Sequence, residues 1–159
     1  MNANDKLYAE DVNYWKSSTS SPDTWIDKAK TEIKRVGGKV TGELVGSVDG
    51  KTAFMLMFEL DSERYEIKWP VLQSKTGNER AAKIQAATAL YHDVKARCVA
   101  RKFLGSRAAF MPFLLLPNGV TVNEASTPQL SEQLPDMFRG GLSRPALPAP
   151  ASGVTVEVE

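Results

Sequence analysis

Apolar positions recur at helical spacing early in the chain. Trp25 or Ile26, Ala29, Ile33 and Val36 form one stripe. Ser21 supplies an N-cap, Pro22 a preorganised first position and Asp23 a negative charge at the positive end of the dipole. Gly37-Gly38 stops the pattern, so a helix is predicted over 22–36. The period then falls to two. KVTGELVGSV (39–48) predicts a strand whose Gly42 and Gly46 mark a bulge or a close backbone approach. Asp49-Gly50 is a hairpin turn signal. In KTAFMLMFEL (51–60), Phe54, Leu56 and Phe58 alternate with Ala53, Met55 and Met57, which predicts a central strand covered on both faces. DSE (61–63) turns the chain. In RYEIKWPVL (64–72), Tyr65, Ile67, Trp69 and Val71 oppose Arg64, Glu66 and Lys68. Pro70 cannot donate to a ladder and predicts a sheet edge.

From Glu79 to Leu104 nothing breaks a helix, and alanine is frequent. On a wheel of 100° per residue, Ala82, Ala86, Ala89, Ala96 and Ala100 make a stripe suited to close packing on a sheet. Ile84, Ala87, Tyr91, Val94 and Cys98 make a second. Two apolar sides imply a helix buried twice, in a larger core or against another subunit. Gly105 ends it. AAFMPFLLLPNGVTV (108–122) predicts a short strand, a Pro-Asn-Gly turn and a second short strand. Five of the nine prolines lie between 128 and 150, so 125–159 is expected to be a disordered tail. Within it, LSEQLPDMF (130–138) has enough apolar residues to serve as a docking peptide. The expected class is α+β: helix, three-stranded antiparallel sheet, long helix, short C-terminal β element, disordered tail. The domain spans 22–124, behind a flexible N-terminal segment 1–21 that includes most of the loop SSTSSPD (17–23).

Composition removes several function classes. No run of eighteen apolar residues predicts a membrane span, and MNANDKLYAEDVNYWKSSTS lacks the pattern of a signal peptide. One cysteine excludes an internal disulfide framework and suits a reducing compartment. These features lead to the expectation of an intracellular, cytoplasmic protein. His92 and Cys98 point about 120° apart on one helix and cannot pair there. They supply too few ligands for zinc, and no phosphate-cradling loop ending in Lys-Ser/Thr is present. Glu43, Glu59 and Glu66 could hold magnesium in principle but are expected as solvated strand charges. Cys98 is expected in the core and His92-Asp93 on a solvated surface. No catalytic residue, metal or cofactor is expected.

Charge is unevenly placed. Residues 23–105 hold fifteen Lys/Arg against eleven Asp/Glu, whereas residues 117–159 hold two against five. Lys95, Arg97, Arg101, Lys102 and Arg107 fall within thirteen residues with no acid among them. Cations at a helix C-terminus complement the dipole by about 0.3–1 kcal/mol each. The alternative is phosphate contact, which releases counterions and gives salt-sensitive binding. Arg80, Lys83 and Lys68 extend the candidate patch. Trp69, Tyr65, Phe54 and Phe58 are candidates for base stacking, although their alternation directs them first into the core.

Two resemblances follow from this order of elements. GNERAAKIQAATAL (77–90) resembles the second helix of the double-stranded RNA-binding domain, with Arg80 and Lys83 nearest its basic positions and Asn78-Glu79 where that family has paired lysines. The sheet followed by a long helix carrying Asp93, Lys95, Arg97, Arg101, Phe103 and Gly105 resembles the single-strand annealing superfamily of eukaryotic recombination repair and Erf/Sak-type phage proteins. The register differs: counting back from Gly105, that family's Lys-Arg pair falls on Cys98-Val99. The second resemblance covers roughly 23–116. It implies a non-enzymatic homo-oligomer that binds single-stranded nucleic acid and anneals it in recombination or repair, with a tail that recruits a protein partner. A protein–protein adaptor, a structural subunit or a double-stranded RNA-binding module are the alternatives.

Overall fold

The computed structural model describes residues 6–48 and 50–126. Helix α1 (Pro22–Arg35) leads into strands β1 (Lys39–Val48), β2 (Lys51–Leu60) and β3 (Glu63–Val71). Helix α2 (Glu79–Leu104) and the short helices α3 (Ser106–Phe110) and α4 (Val122–Ser126) follow. The strands form one antiparallel sheet in the order β1-β2-β3, which is the predicted α+β arrangement. Among the described residues no helix is long and apolar enough to cross a membrane.

Local chemistry explains the boundaries. The Ser21 hydroxyl accepts from the Thr24 amide at 3.3 Å, with Pro22 at the first helical position. Asn78 caps α2 by accepting from the Ala81 amide at 3.1 Å. Gly105, at φ 86°, ends it with its own amide donating to the Arg101 carbonyl. Gly38 has a different task. A Cβ there would lie 2.6 Å from Ile33 Cγ2 and 2.9 Å from the Ile33 carbonyl oxygen, so only glycine lets β1 start beneath α1.

The sheet uses the predicted faces. Phe58 pairs with Tyr65, Leu56 with Ile67 and Phe54 with Trp69. This face meets Ile26, Ala29 and Ile33 of α1 and Ala86, Ala87, Leu90, Val94 and Cys98 of α2. Full burial of one such large side chain stabilises by about 1.5–3 kcal/mol. The opposite face carries a smaller cluster, Ala53, Met55 and Met57 with Leu44, so β2 is covered on both sides. A bulge between Val40 and Gly42 shifts the β1–β2 register, and β3 with its Pro70 lies at the edge.

Several expectations need correction. Residues 108–113 are helical or in a 3₁₀ turn (Met111–Phe113), and the β element is reduced to two bridges, Tyr65 with Leu114 and Leu115 with Thr121, around the Pro-Asn-Gly turn. Ala109, Phe110 and Phe113 are buried at helical spacing, and with good helix formers around them the helix wins. The N-terminal segment, expected to be flexible, contacts the domain between Ala9 and Asn13. Ala9 is wholly buried, and the buried Gln85 side-chain amide donates to the carbonyls of Ala9, Val12 and Asn13 at 2.7, 3.0 and 2.9 Å. Within the chain this segment packs on α2 around Gln85. Of the alanine stripe, Ala82 and Ala86 are buried and Ala100 packs partly against the core, while Ala96 is exposed. Ala125 and Ser126, assigned to the tail by composition, belong to α4. The rest of the expected tail, 127–159, and Asp49 lie outside the described residues.

Candidate nucleic-acid interface

The eight predicted basic residues divide into two groups. Arg97 donates to Asp93 at 2.8 Å and to the Ala109 carbonyl at 3.0 Å, and its guanidinium lies 4.7 Å from the centre of the Phe113 ring. Arg101 donates through Nε to the Ser106 hydroxyl at 2.7 Å and through Nη2 to Asp61 at 3.1 Å. Ser106 also donates to Asp61. That hydroxyl chiefly, with Arg101 adding to it, holds the Asp61 carboxyl below its ordinary range against the opposing effect of burial. Arg107 forms a two-pronged pair with Glu63, at 3.0 Å through Nε. Lys68 is the clearest departure from expectation. Its ammonium is 2.8 Å from Glu124 and its side chain is 3% exposed, so it does not face solvent. The predicted polar face of β3 is covered by α4, which the sequence assigned to a strand and a tail. Glu66, expected to be solvated, is buried on the same face.

The remaining four cations, Arg80, Lys83, Lys95 and Lys102, form no ion pair among the described residues. They do not make one compact patch. Lys83 lines a cleft of about 270 Å³ with Val71 and Ser74. Arg80 lines another of about 480 Å³ with Lys16, Ser18, Thr19 and Asn78. At 100° per residue Arg80, Lys95 and Lys102 fall within about 60° of one another, and at 1.5 Å per residue the file is roughly 33 Å long.

The stacking candidates named from sequence are used elsewhere. Tyr65, Phe54 and Phe58 are core residues and Trp69 is packed partly against them. A different aromatic group borders the cation file. Tyr14 and His92 stack with centroids 4.9 Å apart and planes within 7°. Trp25 and Tyr91 lie beside them at 5.4 Å from each other. Lys28 sits 4.2 Å over Trp25, and Lys95 sits 5.9 Å over Tyr91. His92 is exposed and Tyr14 retains 38% exposure. Sequence reasoning missed this cluster because it unites three segments: the N-terminal region, α1 and α2. The only local signal was the Asn-Tyr-Trp run at 13–15, inside a segment expected to be loose.

Other chemistry is confined. Glu43 pairs with Lys30 at 2.6 Å and Glu59 with Arg64 at 3.6 Å. Among the described residues no group of three His, Cys, Asp or Glu is placed to hold a metal ion. Cys98 is buried, and burial pushes its thiol up to about 11, which keeps it protonated and a poor nucleophile at neutral pH. Searches against family models, curated proteins and solved structures return no match for this chain.

Proposed function

We propose that this chain binds single-stranded nucleic acid along the outward side of α2 and holds it for annealing, without catalysis, as an intracellular homo-oligomer. The observation that carries this reading is the juxtaposition of Lys95, which forms no ion pair among the described residues, with the exposed Tyr14–His92 stack and the neighbouring Tyr91. Lysines along a track neutralise phosphates, and adjacent rings accept bases by stacking at about 1–3 kcal/mol per base. A duplex hides its base faces, so the rings favour the single strand. Lys102 extends the track towards the C-terminal end of the helix, and Arg80 lines a separate cleft nearer its start.

Anisotropy of labelled single-stranded DNA, duplex DNA and double-stranded RNA at two salt concentrations tests this directly. Single strands are expected to bind best and to weaken with salt. Replacing Lys95 and Lys102 with alanine should flatten the log–log salt slope by about 0.7 for each phosphate that is no longer neutralised, and His92→Ala should lower affinity at either salt. Preference for double-stranded RNA would transfer the assignment to the other family resemblance. No binding to any probe at low salt would overturn the nucleic-acid reading.

A further inference from the structure

We propose that segment 127–138, TPQLSEQLPDMF, folds back over the face of the sheet that turns away from α1 and α2. That face is built from cross-strand rows. Leu44, Met55 and Lys68 make one, Gly42, Met57 and Glu66 the next, and Gly46, Ala53 and Pro70 the third. Ala53, Met55 and Met57 are 0%, 1% and 4% exposed, and Gly46 is buried although β1 is an edge strand. The flanking positions do not account for this. Gly42 and Gly46 carry no side chain and Pro70 only a short ring, so the middle of the face needs a further layer to exclude water. Among the described residues, the apolar side chain packed on the three is Leu44. The bulge between Val40 and Gly42 explains one of the two glycines in β1. Gly46 is left, and a glycine inside a strand suits the close approach of a second backbone.

The path of the chain names the occupant. These residues are shielded within a single chain, so no second copy is required. α4 ends on this same face. Glu124 is 2.8 Å from Lys68, with side chains 8% and 3% exposed, and Lys68 is the direct partner of Met55, with Cβ atoms about 5 Å apart in such pairs. Ser126, two residues after Glu124, is the last of α4. The chain therefore leaves α4 about one helical turn from the Leu44–Met55–Lys68 row. Residues 127–129 add roughly 10 Å, which is about two strand spacings and spans the sheet from β3 to β1. The large apolar side chains come next: Leu130, Leu134, Met137 and Phe138, with Glu132 and Asp136 as the charges among them. The other terminal stretch, 1–5 (MNAND), offers one large apolar residue. Tethering favours 127–138 over a neighbouring molecule, because a short linker gives an effective concentration of about millimolar.

Methionine oxidation in the full chain tests this, since a buried thioether is shielded from oxidant and an exposed one is not. Dilute hydrogen peroxide, read by peptide mass, compares four native probes: Met55 and Met57 on the face, Met137 in the segment, and Met111, which is 37% exposed. Met137 is expected to oxidise about tenfold more slowly than Met111, roughly what one large buried apolar side chain is worth. Two variants then locate it. Leu130→Ser with Leu134→Ser should speed oxidation of Met55, Met57 and Met137 together and leave Met111 unchanged. Leu44→Glu, a change on the sheet side, should speed Met137. In both, a buried Cys98 that stays inert to a thiol reagent shows that the main core is intact. Met137 oxidising as fast as Met111 in the wild type overturns the proposal, whatever the variants do. So does protection of Met55 and Met57 that ignores the serine substitutions in a folded variant, or a Met137 that ignores Leu44→Glu. Protection that fades on dilution assigns the face to another copy and overturns it as well. None of these readouts involves nucleic acid, so their failure is separate from failure of strand binding.

Discussion

Lys95 and Lys102 come from the same thirteen residues as Arg97, Arg101 and Arg107, yet the two residue types do different work. Each arginine reaches out of its own element. Arg97 ties α2 to the Ala109 carbonyl and covers Phe113, Arg101 holds the β2–β3 turn through Asp61, and Arg107 holds the start of β3 through Glu63. The planar guanidinium can address a carboxylate, a carbonyl and a ring at once, whereas an ammonium is a compact point charge on a flexible stem. Lys95 and Lys102 form no ion pair among the described residues. A basic run in a sequence can thus be half scaffold and half surface, and residue type separates the halves here better than position does.

The largest effect that would sharpen this contrast is on stability. Arg97→Ala is expected to lower the unfolding free energy by about 1–3 kcal/mol, because it strips a charge-assisted bond and a carbonyl partner from a half-buried site. Arg101→Ala should fall in the same range. Urea unfolding measures both. A loss of nucleic-acid affinity with unchanged stability would erase the division between arginines and lysines.

A second test uses acid. The folded-state pKa of Asp61 is depressed by the Ser106 hydroxyl and then Arg101. A depressed carboxylate stabilises fully above its unfolded value, about 3.9, and that contribution is lost as pH falls through the lower folded value. Melting temperature in the wild type should therefore drop more steeply below about pH 4 than in Asp61→Asn, which lacks the contribution at every pH. Parallel curves would mean that the Arg101–Asp61–Ser106 contact does not anchor the end of α2.

Sequence reading went furthest where one physical constraint acted alone. Period-two alternation with Asp49-Gly50 and Asp61-Ser62 between the runs placed all three strands. The N-cap at Ser21 and the left-handed Gly105 placed both long helices. It failed where distant segments compete for one residue. Nothing near Lys68 announces Glu124, 56 positions away, and nothing near Gln85 announces the carbonyls of Ala9, Val12 and Asn13. Both contacts convert a face that looks polar in one dimension into an interior. The aromatic cluster escaped for the same reason. Tyr14 and His92 are 78 positions apart in the sequence, and their stacking depends on the packing of the N-terminal segment against α2.

The smallest expected effect separates the two lysines from each other. Lys102 lies in the last turn of α2, where a cation complements the dipole by about 0.3–1 kcal/mol. Lys95 lies about two turns earlier, where that field has faded. Lys102→Ala should therefore cost a few tenths of a kcal/mol in low salt and less in high salt, as expected for a screened surface interaction. Lys95→Ala should leave stability within about 0.5 kcal/mol at any salt, the usual range for a surface substitution. Strand affinity should treat the two alike, because phosphate neutralisation has no regard for position along the helix. If stability and affinity instead fall together at Lys102 and neither moves at Lys95, capping the helix is all that the cluster's lysines do.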